Sequence, residues 1–139
     1  MPQQLTRGQA LVGDLAAVNG IIEVSMRWDA NIADTSFFVA NRKYKIKKIT
    51  ARVDVLGTDA GAVTGAIKKA ATGTAIASGT ALHTGTINLK GTISANQVLT
   101  LSTTDTDLDI ATGNAIGFDL TGTPTAAVGS VSILLAPRF

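Results

Sequence analysis

Apolar and polar residues alternate with a period of two along most of this chain, and that pattern predicts β-strands. In Ile22-Glu23-Val24-Ser25-Met26-Arg27-Trp28, the residues Ile22, Val24, Met26 and Trp28 share one face while Glu23, Ser25 and Arg27 share the other. A turn-rich break from Asp29 to Asp34 precedes a short extended segment carrying Phe37 and Phe38. Between Arg42 and Leu56, Tyr44 and Ile46 lie on one parity, and Ile49, Ala51, Val53 and Val55 lie on the other. A one-residue slip of this kind turns an apolar set outward unless an extra residue is absorbed locally. A β-bulge, or a bend where the strand changes sheets, is therefore expected at Lys47-Lys48.

Turn signals then recur at short intervals: Gly57 to Gly61, Thr72-Gly73-Thr74, Ser78-Gly79-Thr80, Lys90-Gly91-Thr92, Ala111 to Asn114, and Thr121 to Pro124. Between them, Thr86 to Leu89, Val98 to Leu101, Ile116 to Leu120 and Val131 to Leu135 each place apolar residues at every second position. Short, evenly spaced strands with Gly and Asn turns point to an all-β fold, an antiparallel β-sandwich of jelly-roll type, rather than to alternating β and α units. Two segments fit this reading less simply. Val63, Ile67 and Ala70 fit helical spacing as Val63, Gly65 and Ile67 fit strand spacing, and the β-branched residues with flanking glycines favour the strand. Leu11, Leu15 and Val18 fall on one helical stripe, which Gly8 and Gly13 weaken. Residues 1–20 read as an N-terminal arm, extended or with one short helical turn, and residues 21–139 as the sandwich domain. The arm's apolar residues need another surface to pack against.

Composition narrows the function. Thr, Ala and Gly supply 54 of the 139 residues, aromatic residues only 4%, and cysteine none. A chain of this length buries enough surface for a core without staples, and lack of cysteine excludes disulfides and thiolate metal sites. Its apolar surface is spread over many small side chains, which suits thin, closely packed sheets or subunits that complete their cores against neighbours. The formal charge of +2 does not argue for nucleic-acid binding. No apolar run is long enough for a membrane helix, and the start from Met1 to Arg7 lacks the features of a secretory signal. A soluble protein made in the cytoplasm of its host is expected.

Candidate chemistry is sparse. His83 has no histidine or cysteine near it in sequence and sits beside a turn, where a surface or turn role is expected rather than that of a catalytic base. Asp105, Asp107 and Asp109 are spaced as in hard-cation loops, but the EF-hand positions for glycine and glutamate hold Ile110 and Ile116. In a strand the three aspartates would share one solvated acidic face, which also discourages edge-to-edge aggregation; a weak calcium site is the lesser reading. Arg42, Lys43, Lys45, Lys47, Lys48, Arg52, Lys68 and Lys69 form the one basic concentration. With only Tyr44 to stack on a base, this reads first as a solvated face, then as a protein contact, and last as a nucleic-acid stripe. No P-loop, GxGxxG, GxSxG or HExxH motif occurs. No catalytic, cofactor or metal residue is assigned.

Several tracts together resemble a known group: Met26-Arg27-Trp28-Asp29-Ala30, Asp34 to Ala40, Ile49 through Thr64, Thr74 to Thr80, Thr86 to Thr92, Asn96 to Leu101, and Ile133 to Pro137. From about residue 20 onward the chain resembles the capsid decoration, or cement, proteins of tailed phages. The resemblance implies a β-rich, non-enzymatic virion protein, usually a homotrimer, bound to the outer surface of the major capsid protein lattice. It implies no cofactor, membrane or nucleic-acid partner. Leu5, Leu11, Val12 and Leu15 of the arm are then the candidates for contact with the capsid or a neighbouring subunit. The alternative from another class is a carbohydrate- or receptor-binding sandwich of a head fibre or spike. Sugar sites generally use exposed Trp or Tyr, whereas Trp28 and Tyr44 are both in phase with apolar neighbours.

Overall fold

A computed structural model describes residues 20–139. Ten strands follow in chain order: β1 (Ile22–Trp28), β2 (Thr35–Val39), β3 (Tyr44–Val55), β4 (Thr64–Ala70), β5 (Thr80–Ala81), β6 (Ile87–Asn88), β7 (Asn96–Val98), β8 (Asp109–Ile110), β9 (Ala115–Thr121) and β10 (Val128–Pro137). Two 3-10 turns, Ile76–Ser78 and Asp105–Leu108, are the only helical elements among the described residues. In one sheet the order is β1-β10-β3, with β7 and β8 sharing the far side of β3; in the other it is β2-β9-β4, with β5 and β6 sharing the far side of β4. All ladders between these strands are antiparallel. The pairings are nested: first strand with last, second with second-last, and so inward to β4 with β5. The chain is one long hairpin rolled into two sheets, the jelly-roll arrangement that the strand spacing predicts.

The longest strand shows how the pattern becomes packing. Tyr44, Ile46, Ile49, Ala51 and Val53 of β3 are all buried, although Ile46 and Ile49 differ in parity. The register explains it: Lys48 lies opposite Leu134 and Ile46 opposite Leu135, leaving Lys47 as the extra residue of a bulge. The expected bulge is there. A second shift, which the sequence pattern did not reveal, opposes Val53 to Gly129 and Val55 to Val128 and skips Asp54. It turns Val55 outward, 45% exposed, where unbroken alternation would have buried it.

Across the sandwich, Trp28 and Phe118 stack with ring centroids 5.8 Å apart. Each lies on a glycine. Gly129 sits opposite Trp28 in the ladder, and a Cβ on it would overlap the indole; a Cβ on Gly65 would overlap the Phe118 ring. Two missing side chains thus make room for the two largest buried ones, a way to reach native packing density with small neighbours. The residue 62–71 ambiguity resolves as the strand β4, with Val63 and Ile67 buried.

The two long edges of the sandwich differ. Beyond β7 the chain crosses from one sheet to the other. Leu99 N–H donates to Ile49, Thr84 N–H to the Thr100 carbonyl and Ser102 N–H to Leu82, with Leu101 bridged to His83. That crossing is why the expected strand over Val98–Leu101 ends at Val98. At the opposite edge β1 and β2 are the outermost strands among the described residues and lie near each other. Ile22, Val24 and Met26 face inward there but are only half-buried.

Candidate interaction surfaces

His83 is 5% exposed, so the expected surface position is corrected: the side chain lies in the core beside the turn. β6 covers the start of β4 and β5 covers its end, leaving Ile67 between them without a strand partner on that side. The imidazole fills this gap. Its Nε2 accepts from the Ile67 N–H at 2.9 Å, while Leu82 N–H donates to the Ile67 carbonyl at 3.0 Å. With Nε2 accepting, the proton sits on Nδ1, which donates to the Thr84 carbonyl at 3.2 Å. Burial lowers the pKa of the ring, only partly offset by the Thr84 and Gly85 carbonyls. Both nitrogens are engaged by main chain, so this histidine completes a ladder.

The three aspartates do not share a strand face. Asp105 to Leu108 form a 3-10 turn, and Asp109 opens β8. Asp105 and Asp109 share one lysine, and Asp107 takes a serine. Asp105 and Asp109 meet the Lys45 ammonium at 2.6 and 3.0 Å, Arg138 reaches Asp109 at 3.1 Å, and Ser102 Oγ donates to Asp107 at 2.6 Å. From the other sheet, Lys69 Nζ donates to the carbonyls of Thr106 and Asp109, both at 2.7 Å. The hydrogen bond from Lys45 holds the Asp109 carboxyl below its usual pKa, and Asp105 raises that of Lys45. Burial lowers that of Lys69. Exposed ion pairs contribute little to stability. The value of this group is positional, because it ties the Asp105–Leu108 turn to both sheets. Among the described residues, no three carboxylate or imidazole groups converge as cation ligands do.

The basic concentration is therefore divided. Lys45 and Lys69 serve that group, Lys68 pairs with Asp119 at 2.6 Å, and Arg52 lies 3.7 Å from Asp54. Arg42 stacks over the Phe139 ring at 5.0 Å. Lys43, Lys47 and Lys48 remain exposed without an ion pair among the described residues, a short row rather than a phosphate-tracking stripe.

Apolar exposure marks the other candidate surfaces. Ile93, Val98 and Val55, 50%, 60% and 45% exposed, lie along the β7 side of β3. Sequence reasoning missed these, although Val98 is out of phase with Leu99 and Leu101, and an apolar residue on the polar parity was the available signal. Ile21 (52%) begins the β1 edge. The arm residues Leu5, Leu11, Val12 and Leu15 lie outside the described residues. Trp28 is fully buried and Tyr44 is 8% exposed, so neither forms the platform a sugar-binding site uses.

No family model matches the chain, and no curated protein matches it. Solved structures do. A chain of the cyanophage Pam1 capsid asymmetric unit is 13% identical, with 84% of this chain and 82% of that one covered, at a TM-score of 0.50. A chain from the Bacillus endospore appendages, described as disulfide-linked pili, is 16% identical, with 85% and 86% covered, at a TM-score of 0.42. At such identities the first likeness is one of fold: the sandwich built here is also the architecture of a chain within a phage capsid.

Proposed function

We propose that this chain is a structural protein of a tailed-phage head, a decoration or cement protein that binds the outer surface of the major capsid lattice and stabilises it without catalysis. The observation that carries this reading is the jelly roll itself, shared along most of both chains with the Pam1 capsid component. The engagement of His83 by main chain, and of the three aspartates by Lys45, Arg138 and Ser102, agrees with a molecule that holds shape and touches neighbours. On this reading the protein assembles as a homotrimer, and residues 1–20 reach the capsid or a neighbouring copy through Leu5, Leu11, Val12 and Leu15. Individually weak contacts suffice when symmetry multiplies them, because each copy after the first binds at high effective concentration.

Heads purified without this protein and then incubated with it provide the test. The full chain should coat them and raise the temperature at which they release DNA. A chain lacking residues 1–18 should stay folded yet fail to coat. Normal coating by the truncated chain overturns the arm's role, and absence of any coating by the full chain overturns the decoration reading.

A further inference from the structure

Edge strands present unpaired main-chain donors and acceptors, and most folds blunt them. Among the described residues this sandwich does so at every outer strand but one. β5, β6 and β8 are two residues long and β7 is three. β2 is broken by a register shift between Ser36 and Phe38. β1 differs: its seven residues run in unbroken register with β10 and include no proline. No described residue pairs with its other side. Ile21 is 52% exposed beside it, and the inward-facing Ile22, Val24 and Met26 are half-buried.

We propose that β1 pairs antiparallel with β1 of a second copy of this chain, about a two-fold axis through Ser25, so that the two β1-bearing sheets become one. The strand is self-complementary in that register. Glu23 lies opposite Arg27 of the copy, and Arg27 opposite its Glu23, both on the outward face. Val24 and Met26 oppose each other in the same way on the inward face, and Ile22 lies opposite the copy's Trp28. Opposed pairs of unlike charge and of apolar side chains are what stabilise a ladder.

Neighbouring registers do not offer this. With the axis at Met26, Glu23 opposes Asp29 of the copy, like against like. With the axis at Val24, Glu23 opposes Ser25 and Arg27 opposes Ile21, so neither charge is matched. A slip by one residue sets inward side chains against outward ones. Charge complementarity thus selects the occupant and the register together. Main-chain hydrogen bonds supply the affinity and the opposed side chains the specificity, as in strand addition generally. An isologous contact is closed, linking copies in pairs and leaving no β1 edge to template a fibre. The pairing is independent of the capsid reading, and it joins β1 edges whatever else each copy is bound to.

The native chain has no cysteine, so a single introduced one reports the contact. Opposed residues of an antiparallel pair have Cα atoms about 4.5 or about 5.5 Å apart, inside the range of about 4.4–6.8 Å that a disulfide spans. Ser25 meets its own counterpart on the axis, so Ser25→Cys in the full chain should give a covalent dimer on mild oxidation. Ser132, opposite Ser25 on β10, lies roughly 14 Å from its counterpart across the intervening strands, so Ser132→Cys should stay unlinked. In the Ser25→Cys chain, adding Glu23→Arg should slow linking several-fold, and adding Arg27→Glu to that variant should restore it. Failure of Ser25→Cys to link, or equal linking of Ser132→Cys, would overturn the pairing; linking indifferent to both charge changes would overturn the register. Amide exchange of the unmodified chain is the second measurement. The β1 amides that point away from β10 should gain protection as protein concentration rises. Protection of these amides at every dilution would overturn the proposal in favour of an edge covered within one chain, and free exchange at the highest concentration would overturn it as well.

Discussion

Gly129 and Gly65 matter for what they leave out. Each accommodates a stacked aromatic ring, and in Gly129 the Arg52 carbonyl also crowds the position a Cβ would take. Overpacking of this kind costs roughly 1–3 kcal/mol. Gly129→Ala should therefore lower the urea midpoint correspondingly with an unchanged slope, and an unchanged midpoint would show that the core yields where it is described as tight. His83 gives a pH prediction. Its pKa lies below the ordinary 6.5 in the folded state because the ring is buried, so the unfolded chain binds the proton more readily. Stability due to this group is full above about pH 6.5 and falls as pH drops through that value toward the folded pKa. Denaturation followed from pH 7.5 to 5.5 should show this loss, and His83→Gln should flatten it; equal slopes in the two proteins would mean that the ring is not held neutral.

At the level of elements, β3 offers the sharpest test of register. Lys47 is the bulged residue, and removing it leaves Ile46 and Ile49 two positions apart, on one face, with the β10 pairing intact. Deleting Lys47 should thus leave a folded protein, whereas deleting Thr50 drives Arg52 toward the core and should abolish cooperative unfolding. The reverse result would refute the assigned register. Lys69 carries a second expectation. Its two bonds to the carbonyls of Thr106 and Asp109 join opposite sheets, and hydrogen bonds from a charged group contribute roughly 1.5–3 kcal/mol. Lys69→Ala should lower stability by about that much and speed amide exchange in residues 105–109; unchanged exchange there would show that the turn does not depend on the lysine.

These two elements also show what was legible. The bulge could be read because a local parity slip has only a local remedy. The 3-10 turn at Asp105–Leu108 could not, because alternating aspartates look like a strand until Lys45, Lys69 and Arg138 arrive from distant segments to bind them. His83 was hidden for the same reason. The gap that it fills lies between β5 and β6, which are brought together only by their common partner β4. Val55 was misplaced by a bulge whose signal is a single residue, Asp54, near a strand end.

On the scale of the molecule, the nested pairing joins the two ends of the domain, β1 beside β10, so that the arm leaves from a sheet edge. Among the described residues the charged groups are tied largely to one another or to main chain, while Val55, Ile93 and Val98 stay exposed. The proposed capsid role is tested most directly by co-sedimentation of the purified full chain with tailed-phage heads that lack it. Saturable binding at a fixed ratio to the major capsid protein is the expected result, and protein left wholly in the supernatant at every concentration would contradict the account.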